Sequence, residues 1–211
     1  FDSFGHCMPA LLPEVAARAV ENALGQKGAK FHFGQKVASV NKKDKGFWVG
    51  LENGGRLEAD LVVSAVGLRA HTGLAKQAGL DCDRGITVNR YLETSVQDIY
   101  AVGDCAEVEG ELLMYVEPLL IQARALAKTL SGDRSAVSYK VMPVTVKTPA
   151  CPVVVALPPQ GREGQWDIQG TGPDVEALFR DEAGEVIGYA LTGAAVSKKK
   201  QYDLSLPKLF E

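Results

Sequence analysis

At 211 residues the chain has room for one large domain or two modest ones. With 46% hydrophobic and 23% charged residues it can build a packed core, and a net charge of −3 gives no general pull toward nucleic acid or membrane surfaces. No apolar run approaches the roughly 20 residues that a spanning helix needs.

The opening stretch FDSFGHCMPALLPEV has no basic segment followed by an apolar one, so it is not a secretory signal. It has no initiator Met and reads as the interior of a longer chain. Residues 13–27 then put Val15, Ala19, Val20, Ala23 and Leu24 on one helical face, with Pro13 in a tolerated first-turn position and Gly28 closing the end. Short extended segments follow at 29–33, 36–40, 47–52 and 56–59, separated by Gly, Lys, Asp and Asn turns as in a meander. The run LVVSAV at 61–66 is apolar, β-branched and without alternation, which predicts a strand buried on both faces of a parallel or mixed sheet.

Gly85 opens GITVNRYLETS, which leads to a second predicted buried strand, IYAV, at 99–102. Residues 117–130 predict an amphipathic helix with Pro118 in its first turn and Gly132 past its end. From about 140, Pro-punctuated strands dominate, at 144–147, 153–156, 165–169, 177–180 and 186–191, with a short helix near 193–200. Gly170-Thr171-Gly172 is a hairpin turn, because it lacks a third glycine and opens no helix. The four cysteines, Cys7, Cys82, Cys105 and Cys151, form no C-x-x-C and no zinc spacing. They suit reduced thiols in a cytoplasmic protein.

Chemistry concentrates at 94–106, T-S-x-x-x-I-Y-A-x-G-D-C-A. An extended segment ends in Gly103, where a backbone can approach a ligand, and then presents Asp104. In open α/β sheets, ligands bind beyond the carboxyl ends of strands, and a carboxylate there accepts charge-assisted hydrogen bonds from a polyol. The plainer alternative is a solvated turn acid. A weaker second signal is DLVVSAVGLRA at 60–70, ending a strand at Gly67.

Taken in this order, the two segments resemble the flavoproteins with two dinucleotide-binding domains. MPALLPEVAARAV, SAVGLR, GDCAEV, MPVTVKTPACPVVV and VIGYALTGAAV are similar, more narrowly, to the rubredoxin–NAD reductases. Ala70 departs from that pattern, which usually has proline after the arginine. The resemblance implies an α/β fold: C-terminal portions of two Rossmann-like FAD/NAD-binding domains followed by a small α+β domain. The expected division is 1–68 for the second half of the NAD domain, 69–135 for the last segment of the FAD domain and 136–211 for the C-terminal domain. It implies FAD and NAD as cofactors, and electron flow from NADH to rubredoxin or a similar small carrier. Ferredoxin, or an isolated and catalytically incomplete module, remains the alternative.

By the same resemblance Asp104, with Gly103, binds the FAD ribitol, and Gly67 closes the strand that returns from the NAD domain. The helix starting near Glu117 points its N-terminal end at the flavin pyrimidine ring, where a helix dipole favours negative charge. Lys147, in VTVKTP, stands beside the isoalloxazine; a strand-edge lysine is the alternative. Asp2 matches the acid that binds the NAD ribose. Both glycine-rich pyrophosphate loops are missing, and no disulfide-reductase dithiol is present. The cluster Ser197-Lys198-Lys199-Lys200 either steers an acidic carrier or is a solvated helix end.

Overall fold

A computed structural model describes residues 1–210. In chain order the elements are helix α1 (Glu14–Gly25), strands β1 (Val37–Lys42), β2 (Phe47–Leu51) and β3 (Arg56–Ala59), helix α2 (Gly73–Gln77), strands β4 (Ile86–Val88) and β5 (Ala106–Val108), and helix α3 (Val116–Leu130). Strands β6 (Val144–Val146), β7 (Val153–Ala156), β8 (Gln165–Thr171), β9 (Asp174–Arg180) and β10 (Val186–Thr192) follow, then a 3-10 turn (Gly193–Lys198) and helix α4 (Lys199–Asp203). They form two compact units: Phe1–Ala65 with Pro143–Leu206, and Val66–Met142 with residues 207–210.

In the first unit an antiparallel sheet runs in the order β6-β7-β10-β9-β8. The β8–β9 hairpin turns at Gly172–Pro173, at the end of the Gly170–Gly172 run from which the sequence predicts a hairpin; a Cβ on Gly170 would lie 2.1 Å from the Asp174 carbonyl oxygen. The sheet is covered on both faces. Ala16, Ala17, Ala19 and Val20 of α1 pack on Val153, Val155, Val175, Ala177 and Ala190, and the small alanines let helix and sheet approach closely. The alternate residues Glu176 and Tyr189 meet the chain that follows β10. Tyr189 donates to Asp203 Oδ1 (2.6 Å), Lys199 Nζ to Asp203 (2.5 Å), and both Tyr202 and Lys198 donate to Glu176.

These contacts make the unit's stability fall in alkali. Burial, and then the hydrogen bond to Glu176, push Tyr202 up to about 12; burial and Asp203 push Tyr189 up as well. An unfolded tyrosine loses its proton near pH 10, whereas the folded ones keep theirs. The tyrosines' contribution to unfolding free energy is therefore constant below about pH 10 and declines as pH rises toward about 12. A thermal-melt series over that window should show the drop, and Tyr202→Phe should make it shallower; an undiminished slope in that variant would contradict this origin.

The three-stranded antiparallel meander β1-β2-β3 also matches expectation. Its Trp48 ring is flanked by Lys43 Nζ at 4.4 Å and by the Arg56 guanidinium at 3.6 Å. The expected strand at 29–33 is absent; Phe33 alone makes a bridge, to Asp2. The expected buried strand at 61–66 is also absent. Leu61, Val63 and Val66 are 75%, 76% and 95% exposed. The run has the composition of a two-sided strand, but among the described residues no neighbouring strand pairs with it, and a strand's backbone groups need such pairing.

In the second unit β4 and β5 form a parallel pair, and Val88, Leu92, Ala101, Ala106, Val108, Ala125, Val137, Tyr139 and Met142 form the core. The expected strand at 99–102 is reduced to one bridge, Glu93 to Tyr100, for the same lack of a second partner. The short β5 and α2 were not foreseen from the sequence pattern. Among the described residues no helix is long and apolar enough to cross a membrane.

Candidate functional site

The segment 94–106 folds into a tight presentation of one carboxylate. The Thr94 hydroxyl donates to the Ile99 carbonyl (2.9 Å), and the Ala101 amide to the Leu92 carbonyl (3.1 Å), which brings the chain extended into Gly103. Gly103 has φ +86°, the left-handed region open to glycine, and a Cβ there would sit 2.7 Å from Leu119 Cδ1. The Ala106 amide donates back to the Gly103 carbonyl (2.9 Å), leaving Asp104 exposed at the corner. Among the described residues the Asp104 carboxylate has no hydrogen-bond partner.

Helix α3 stands against this turn, since Leu119 faces Gly103 and the Gln122 Oε1 accepts the Gly103 N–H at 2.6 Å. No side chain caps its N-terminus, where Tyr115 precedes Val116, and Pro118 contributes no N–H. The backbone amides of Val116 and the exposed Glu117 thus mark a positive helix end next to the acid turn. Burial, and then the Glu117 charge, push Tyr115 up to about 12, so its phenol stays neutral at ordinary pH. Behind the turn, buried Glu107 accepts the Gly85 amide (2.9 Å) and pairs with Arg84 (3.2 Å).

Of the residues marked by sequence, Gly103, Asp104 and Glu117 come together here. Gly67 lies in an exposed extended stretch with φ +100° and open space around it. The other two belong to the first unit. Asp2 is half-buried, and its Oδ1 accepts the Phe4 amide (3.0 Å), so its carboxylate is already engaged locally. Lys147 is exposed just beyond the edge strand β6, on a mostly apolar groove of about 260 Å³ with Val146, Pro149, Pro152 and Val196. Within the basic cluster Lys198 and Lys199 are tied to Glu176 and Asp203, so Lys200 is the member left exposed without an ion pair.

All four cysteines are free, and burial with the nearby Glu21 charge pushes Cys7 up to about 11, an inert thiol. Sequence reasoning missed Gln122, Tyr139 and Glu107. Gln122 was discoverable, because Pro118, Gln122 and Ala125 share the helix face that is buried.

An exposed carboxylate on a glycine turn beside an uncapped helix end presents one hydrogen-bond acceptor and one positive backbone end to a polar ligand. Residues 3–125 match the model for "Pyridine nucleotide-disulphide oxidoreductase", and residues 136–204 match "Rubredoxin binding C-terminal domain". The chain belongs to the pyridine nucleotide-disulphide oxidoreductase family. It is 51% identical over 209 residues to a rubredoxin-NAD(+) reductase of Alcanivorax borkumensis, covering 99% of this chain and 55% of the relative. It is 44% identical to the rubredoxin-NAD(+) reductase of Acinetobacter baylyi, covering 94% of this chain and 50% of the relative. The chain thus spans about half the length of the curated relatives it matches. Among solved structures, an NAD-dependent persulfide reductase from A. fulgidus superposes with a TM-score of 0.84 at 22% identity, covering 97% of this chain and 43% of that one. At that identity the likeness shows the fold.

Proposed function

We propose that the protein to which this chain belongs passes electrons from NADH through FAD to rubredoxin in the cytoplasm. The observation that carries the reading is the exposed, unpaired Asp104 on the Gly103 turn beside the uncapped end of α3, in a chain that also matches a rubredoxin-binding domain. These residues fit FAD: a free carboxylate suits polyol hydroxyls, and a positive helix end suits a ring carbonyl. When bound, FAD supplies the redox chemistry, taking electrons in pairs and releasing them singly.

The chain's own residues bind and orient. Asp104, carried by Gly103, would accept ribitol hydroxyls, and the α3 end that begins at Val116 and Glu117 would stabilise negative charge on the flavin's pyrimidine ring. Lys147 would supply a fixed cation to the flavin, Gly67 would let the returning chain approach the cofactor, and Asp2 would accept from the ribose of NADH. The boundaries 1–68, 69–135 and 136–211 remain our assignment of NAD, FAD and carrier-binding segments. Two relatives at 51% and 44% identity are named for rubredoxin, which favours that carrier over ferredoxin. Stopped-flow reoxidation of the NADH-reduced full-length protein should be faster with rubredoxin than with ferredoxin at equal concentration. Equal rates would refute the carrier assignment.

A further inference from the structure

We infer that Gln122 is a positioning residue for the cofactor turn; this rests on the proposed role of Asp104. Gln122 is 1% exposed and both ends of its amide are used. Oε1 accepts the Gly103 N–H at 2.6 Å, and Nε2 donates to the Tyr139 hydroxyl at 2.7 Å. Only the amide oxygen can take an N–H, so the partners fix which way the group points. A buried amide is costly unless satisfied, and an apolar side chain could fill the same volume without that cost. What the amide adds is a fixed link between two elements.

One of those elements is the turn itself. The Gly103 N–H lies one residue before Asp104, and the turn's other end is closed by the Ala106 amide on the Gly103 carbonyl. The other is α3, whose uncapped first turn lies one turn before Gln122. Gln122 therefore locks the acid and the helix end, the two features that would grip one cofactor, into one rigid body. Through Tyr139 the link also reaches the C-terminal residues of the same unit, where Tyr139 packs on Phe210 (5.2 Å between rings). A loosened link would leave each part folded while spoiling their relative placement, and sub-ångström placement is what a binding constellation needs.

The test uses the full-length protein, with equilibrium FAD titration, the visible absorption and circular dichroism of bound flavin, and the flavin midpoint potential read beside the melting temperature. Gln122→Leu should raise the FAD Kd at least about tenfold, the scale of one good hydrogen bond, and shift both flavin spectrum and potential. Gln122→Glu, whose protonated carboxyl offers the same acceptor, should return affinity to within about threefold of the parent. Tyr139→Phe, which keeps the inner bond, should show a smaller shift of the same sign. If Gln122→Leu melts earlier but binds FAD with the parent's Kd, spectrum and potential, its role is packing and the inference fails. Should that variant not fold, a parent-like spectrum and Kd in Tyr139→Phe overturns it equally. Asp104→Ala separates the levels: weakened FAD binding there with no effect at Gln122 sinks only the positioning role. No effect at Asp104 sinks the flavin reading and the inference with it.

Discussion

Replacing Asp104 with Ala is expected to weaken FAD retention by about 1.5–3 kcal/mol, or about 10- to 150-fold in Kd, the scale of hydrogen bonds to a charged group. The carboxylate is exposed and has no partner among the described residues, so nothing inside the chain competes for it. For the same reason the fold should barely notice: a surface substitution away from caps and cores costs within about 0.5 kcal/mol. Loss of affinity without loss of stability is therefore the expected signature, read by fluorescence titration of the apo full-length protein and by its melting temperature. Asp104→Asn, which keeps an acceptor oxygen but no charge, should fall between. Unchanged flavin affinity in Asp104→Ala would mean that this turn is not the ribitol contact.

The largest effect on folding is expected at Glu107. Its side chain is buried, at 3% exposure, in the strand that continues directly from the Asp104 turn. Removing it as Glu107→Ala leaves the buried Gly85 N–H without its acceptor at 2.9 Å, and opens a cavity besides. Gly85 is tightly packed at this point, since a Cβ on it would be 2.9 Å from the Cys105 carbonyl oxygen and 3.0 Å from Glu107 Cβ. Arg84 limits the damage, because its side chain is 48% exposed and can turn to water. The cost should thus fall below that of breaking a fully buried pair, at about 2–3 kcal/mol. Glu107→Gln, which still accepts from Gly85, should lose clearly less. Urea denaturation midpoints decide: a shift in Glu107→Ala worth under about 0.5 kcal/mol would show that the buried acceptor contributes little.

How much of this was legible in the sequence depended on how local the cause was. Helices α1 and α3, the meander and all five strands of the C-terminal sheet were legible, because apolar periodicity, Pro and Gly act within a few residues. The Gly103–Asp104 turn was legible for the same reason. The runs at 61–66 and 99–102 misled because their composition reports a buried environment, whereas strand geometry needs partners that pair with them. Nor could periodicity say what α1 packs on: Ala16 and Ala19 announce a close approach, but the β7–β9–β10 surface they meet lies more than a hundred residues on. Glu107 was invisible, and Gln122 showed its buried helix face but not its partners, since a polar residue's satisfaction depends on tertiary neighbours.

The contacts at Tyr139 have a topological consequence. The amides of Leu209 and Phe210 both donate to the Tyr139 carbonyl, at 3.2 and 3.4 Å. The intervening chain from Pro143 to Leu206, with all five strands of the larger sheet, is therefore a loop whose two feet stand on one residue. Closing so long a loop costs entropy that grows only slowly with its length, so insertions inside it are tolerated far more readily than any change at its feet. The excursion is not self-contained, however, because its sheet shares a core with α1, so the face that meets Ala16, Ala17, Ala19 and Val20 is held fixed as firmly as the feet. Length can therefore vary at the sheet's turns and edges while its α1-facing side and its feet stay constant.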